Sequence, residues 1–275
     1  MKQGVILFCV IFFWANSSFA QQNLPNLRSH AVMVLDTQDN NVIYDKNANS
    51  VVPIASITKL MTAMVILDAQ LPMGDKIVIT SADVDRLKNT RSRLSVGSSY
   101  ARHELLRISL MSSENRAAAA LGRTYPGGIQ AFVRAMNKKA FELGMIDSYF
   151  VEPTGLSSGN VSTARDLAKM VAATNDYGVI REFSTTSRHI VSPANRKNKL
   201  QYINSNSLVR SQSWQIDVSK TGYLNEAGRC LVMQANIAGK PVVIVLLNSW
   251  GKNTRIGDAN RVRKWMENVY ARKQV

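Results

Sequence analysis

With 275 residues, 45% of them apolar, the chain is long enough to bury a core within one domain. Two cysteines exclude a disulfide-dense scaffold, so stability must come from that core. The formal charge of +15 is diffuse, and no helix-turn-helix, zinc-finger or aromatic RNA-binding pattern accompanies it. That argues against nucleic acid and leaves anionic envelope polymers as the partner the charge would favour.

Residues 1–20 read as an export signal. Lys2 gives a positive start, Val5 to Trp14 is nearly all apolar, and Ser17-Ser18-Phe19-Ala20 places small residues before a cut near Ala20. The run is short for a membrane span, and no second one follows, so the mature chain is expected to be periplasmic without a transmembrane segment. Phe8 is too bulky for Cys9 to be a lipoprotein anchor. Cleavage removes Lys2 and Cys9, leaving a charge of +14 and Cys230 as the lone thiol. Residues 21–28 look like a flexible tether, and 29–275 like a single domain.

A strand at 31–35, a turn at 37–41 and a return strand at 42–44 open that domain. Pro53 precedes an apolar helix over 56–69, where Leu60, Met61, Met64, Val65, Ile66 and Leu67 cover too much circumference for a surface helix. Helical patterns follow at 103–111, 116–123, 128–143 and 163–174. Strand patterns then appear at 189–192, 199–203, 214–219, 229–237 and 241–247, the last pair turned at Gly239-Lys240-Pro241. A closing helix over 258–270 puts Val262, Trp265, Met266 and Val269 on one face, a core stripe. Strands at both ends with helices between predict an α+β fold: one antiparallel sheet from both termini, flanked by helices, with an inserted helical region.

Three short words in this frame carry chemistry. Ser56 and Lys59 stand three apart on a helix start, so the ammonium reaches the hydroxyl and free backbone N–H groups face the same point. A desolvated lysine loses pKa and becomes a usable base for serine. Ser113-Glu114-Asn115 falls on a turn between helices, where Ser113 can relay a proton and the Asn115 amide can hold a carbonyl or the lysine. Lys220-Thr221-Gly222 ends the 214–219 strand: Lys220 and Thr221 can bind a carboxylate, and Gly222 clears the strand edge. The Tyr223 backbone N–H can pair with that of Ser56 as an oxyanion hole. Each word has a structural alternative, a cap or a strand exit, and two have decoys: Ser249/Lys252 also fits S-x-x-K, and Ser158/Asn160 also fits S-x-N.

Their order, with Ser113 and Lys220 lying 57 and 164 residues after Ser56, resembles the penicillin-recognising serine peptidases and their β-lactamase relatives. The stretches 53–65, 110–118 and 150–157, the last holding Glu152-Pro153-Thr154-Gly155-Leu156, resemble the D-alanyl-D-alanine endopeptidase branch. The resemblance runs from about Ser29 to Trp265 and implies a β-lactamase/transpeptidase-like fold. It also implies that Ser56 attacks a D-alanyl carbonyl in a peptidoglycan cross-link peptide, Lys59 takes the proton, and Ser113 returns one to the leaving amine. Asn115, Lys220, Thr221, Gly222 and Tyr223 would bind substrate. β-Lactam antibiotics would enter by the same attack, and no metal or cofactor is required.

Several other readings compete. Gly155-Leu156-Ser157-Ser158-Gly159 fits an esterase elbow, with His189 the one histidine left to serve it, but the next helix begins too late. His103-Glu104 is half of a zinc-protease helix, with Arg107 where the second histidine belongs. A β-lactamase would use Glu152 to activate water. A carboxypeptidase would remove terminal D-alanine instead, and a wall-binding scaffold would keep the fold without the chemistry. No long extension follows the last helix to suggest a second β-domain or an anchor. Cys230 reads as a buried strand thiol.

Overall fold

The structure is a computed structural model that describes residues 24–195, 197–211 and 213–271. The expected export signal lies outside the described residues. A hairpin of β1 (Ala31–Asp36) and β2 (Asn41–Lys46) comes first, then β3 (Val52–Pro53), a 3-10 turn at Ala55–Ile57 and α1 (Thr58–Asp68). A short ladder of β4 (Lys76–Val78) and β5 (Ser99–Ala101) brackets a long loop before α2 (Arg102–Met111), α3 (Asn115–Arg123) and α4 (Gly128–Glu142). β6 (Val161–Ser162) pairs back onto β3 and leads into α5 (Ala164–Ala173) and α6 (Gly178–Thr185). A second hairpin, β7 (Arg188–Val191) and β8 (Leu200–Ile203), and one helical turn, α7 (Ser207–Arg210), follow. The meander β9 (Gln215–Leu224), β10 (Gly228–Ile237) and β11 (Lys240–Ser249) then runs into α8 (Thr254–Ala271).

Strands from both ends share one antiparallel sheet in the order β2-β1-β11-β10-β9, as the sequence pattern predicts. Alternation along the strands sends side chains to two cores. Met33, Val232, Val243 and Val245 pack with the helical region on one face, while Val34, Met233, Ile244 and Leu246 pack under Val262 and Met266 of α8 on the other. Both faces are therefore covered, which is why β1 is buried at every position and reads as an apolar run from Ala31 to Leu35, closed by the buried Asp36. In α1 every residue from Thr58 to Ile66 is buried, so that helix runs through the interior as its all-round apolar surface requires.

Two expectations need correction. The tether expected at 21–28 is docked at its far end: Leu27 is buried, and the Arg28 and Ser29 N–H groups donate to the buried Asp258 carboxylate at 3.1 and 2.7 Å. Burial alone would raise that carboxyl, but hydrogen bonds from Ser29, Arg28 and Arg261 hold it below the ordinary carboxylate value. The strand expected to stop at 219 continues to Leu224, so Lys220-Thr221-Gly222 lies within β9, the outermost strand of the sheet, rather than at a strand exit.

Candidate active site

Ser56 sits in the 3-10 turn that feeds α1, one residue after Ala55, whose φ of 48° is left-handed. Two glycines let this turn lie where it does. A Cβ on Gly155 would stand 2.0 Å from Ala55 O, and one on Gly222 would stand 3.1 Å from Ser56 N. Gly222 thus serves the approach of β9 to the nucleophile turn, a tighter duty than clearing an edge for a ligand. Gly155 was not singled out as a site residue from sequence, yet it is the closer fit of the two.

Lys59 is fully buried one turn further on, and its Nζ makes three contacts: Ser56 Oγ at 2.9 Å, Asn115 Oδ1 at 2.7 Å and Thr154 O at 2.5 Å. Burial lowers its pKa to about 8, against the pull of the Glu152 and Glu114 carboxylates, which favour the ammonium. The contacts decide how the amine behaves once neutral. The Thr154 carbonyl and the Asn115 amide oxygen can only accept, so they keep the two remaining N–H bonds. The lone pair then faces Ser56 Oγ, the one contact with a proton to give.

Ser113 links α2 to α3 with a left-handed φ of 63°, a conformation that costs a non-glycine residue about 1–3 kcal/mol and tends to persist at functional sites. Its Oγ accepts from Lys220 Nζ at 2.9 Å, and the same ammonium donates to Thr221 O. Burial, then the charges of Lys59 and Arg255, push Lys220 well below the usual lysine value. Thr221 Oγ1 donates to Ser205 Oγ at 2.7 Å, and Tyr223, one residue past Gly222, is half exposed. Asn115 opens α3, and its Nδ2 donates to Thr90 Oγ1 at 3.0 Å. Thr90 in turn is held by Asp85, whose carboxylate also takes the Leu87 and Lys88 N–H groups. The 85–90 loop therefore positions Asn115, and the sequence held no signal for it. The three words thus meet at one cleft, the first two joined by Lys59 to Asn115 and the last two by Lys220 to Ser113.

The rivals go elsewhere. Both Glu152 oxygens are occupied by the Thr154, Gly155 and Ser157 N–H groups, the Thr154 hydroxyl and the Asn160 amide. This carboxylate folds the 152–160 loop, with both oxygens committed to that loop's own donors. Asn160 of the decoy word is buried and ties that loop to Thr58, while Thr62 Oγ1 donates to Pro153 O at 2.7 Å. Ser157 Oγ only accepts from Gly159 N, and His189 pairs with Glu104 instead. His103 Nδ1 bonds the Met73 carbonyl. Ser249 bonds Ser29, and burial pushes the Cys230 thiol up to about 11.

Comparison with known proteins follows the same line. The D-alanyl-D-alanine carboxypeptidase family matches residues 17–251. A D-alanyl-D-alanine endopeptidase of Pseudomonas aeruginosa is 46% identical over 241 residues, covering 88% of this chain and 78% of the relative. Its Escherichia coli counterpart is also 46% identical, over 243 residues and the same shares of each chain. Among solved structures, the Streptomyces K15 DD-transpeptidase superposes with a TM-score of 0.82 at 26% identity, over 88% of this chain and 97% of that one.

Proposed function

The chain belongs to the D-alanyl-D-alanine carboxypeptidase family of serine DD-peptidases, and within it we propose an endopeptidase that cuts D-alanyl–diaminopimelate cross-links of peptidoglycan. The observation that carries the reading is Lys59, buried between Ser56, Asn115 and Thr154, with its neutral lone pair directed at the serine. Ser56 attacks the D-alanyl carbonyl as Lys59 takes its proton. The Ser56 and Tyr223 backbone N–H groups receive the oxyanion. Ser113, kept in reach by Lys220, passes a proton to the departing amine, and Lys220 and Thr221 hold a substrate carboxylate. Asn115 orients the acyl amide while Gly222 admits it beside β9. Water then frees the acyl-enzyme, and a β-lactam enters by the same attack and leaves slowly.

The protein works in the periplasm after cleavage near Ala20, and its basic surface favours the anionic wall polymer around it. A carboxypeptidase reading shares every one of these steps, and more distant relatives bear that name, including one of Bacillus subtilis at 30% identity. The occupied Glu152 counts against a fast β-lactamase. A labelling gel with fluorescent penicillin tests the nucleophile: label is expected on wild type and Ser157→Ala and absent from Ser56→Ala. Label lost only in Ser157→Ala would sink the assignment.

A further inference from the structure

Ser113 and Asn115 also line a pocket of about 400 Å³ whose other walls include Arg91, Arg93, Glu114 and Tyr202. Its charge is unbalanced. Arg91 is exposed and makes no hydrogen bond or ion pair with any described residue. The Arg93 guanidinium stacks 4.0 Å over the Tyr202 ring and spends one N–H on Gln201 O, meeting no carboxylate. Tyr202 is 1% exposed, and its buried hydroxyl lies beside the Glu114 carboxylate. The one carboxylate present, Glu114, is turned to the Arg116 N–H as the cap of α3. Two guanidinium groups in one recess suit a planar anion.

We infer that this pocket is the subsite for the departing half of the cross-link, where Arg91 and Arg93 take a carboxylate of the leaving stem peptide. The inference rests on the function proposed above, in which Ser113 hands its proton to the departing amine. A pocket walled by Ser113 then lies where that amine leaves. A departing D-alanine brings a single carboxylate, which Lys220 and Thr221 already hold. A departing stem peptide brings further carboxylates, and only these reach a second cationic recess. Arg91 therefore separates cross-link cutting from terminal trimming.

The test compares kcat/KM on a cross-linked muropeptide dimer with kcat/KM on a monomer ending in D-alanyl-D-alanine. Arg91→Gln is expected to lower the dimer-to-monomer ratio about fivefold, mainly through KM, since an exposed ion pair is worth at most about that factor. Arg91→Glu lowers it further. Thermal unfolding of each variant reports its fold. Amidating the dimer's stem carboxylates other than the one beside the departing amine lowers the wild-type ratio without any mutation. An unchanged ratio in Arg91→Gln and with the amidated dimer overturns this inference alone. A wild type that is acylated by penicillin yet leaves the dimer intact overturns the functional reading and takes the inference with it.

Discussion

A neutral Lys59 has one lone pair, and of its three hydrogen-bond partners among the described residues Ser56 alone can give it a proton. Both other contacts, Asn115 Oδ1 and Thr154 O, fix the amine from behind. Burial sets its pKa near 8, so the lysine is the acid form below that pH and the base form above it. Acylation by a β-lactam should thus climb with pH and level off above about 8, as stopped-flow rates across a pH series would show. Glu114 is one of the two charges that stabilise the ammonium, so Glu114→Gln should move the rise to lower pH. A rise that stays put or moves upward contradicts Lys59 as the base. Ser56, Lys59, Ser113 and Lys220 were legible in the sequence because their chemistry demands fixed residue types in a fixed order. Thr154 and Thr90 were not, since one contributes only a carbonyl and the other an ordinary hydroxyl.

Loops and strand edges, more than helices, set the geometry at the scale of elements. The 152–160 loop is folded by Glu152 and Asn160, stitched to α1 through Thr58, Lys59 and Thr62, and pressed on Ala55 by Gly155. Gly155→Ala meets two obstacles, a left-handed φ of 78° and a Cβ overlapping Ala55 O. The backbone alone should cost about 1–3 kcal/mol. A clear drop in the unfolding midpoint is expected, and with it a large loss of penicillin acylation, because the group displaced is the peptide before Ser56. Full acylation in a stably folded Gly155→Ala would contradict this role of the loop. The apolar helix after Ser56 was readable since burial on all sides leaves no polar stripe. The end of β9 was not, because Lys220, Thr221 and Gly222 look like a solvated exit although Lys220 and Thr221 are buried. The ladder of β4 and β5, three residues each, and the eight-residue α6 were too short to leave a periodic signal.

Across the whole molecule, the sheet brings together parts far apart in sequence. β9 is an edge strand, so Gly222 can meet the 3-10 turn before α1 although it lies 166 residues after Ser56. The alternation of β1, β10 and β11 feeds two cores, and the α+β arrangement could be read from it. The contact of Arg28 and Ser29 with α8 could not, because a single buried aspartate at 258 makes it and nothing in a polar segment announces that. In the proposed reaction, a fold held this way presents Ser56, Lys59 and Ser113 as nucleophile, base and proton relay in a fixed arrangement. The most direct test is to incubate the purified protein with cross-linked muropeptide dimers and separate the products by chromatography. If Ser56 cuts the cross-link, the wild type releases monomers and Ser56→Ala releases none. Monomers released equally by Ser56→Ala, or dimers left whole while terminal D-alanine is removed, would contradict it.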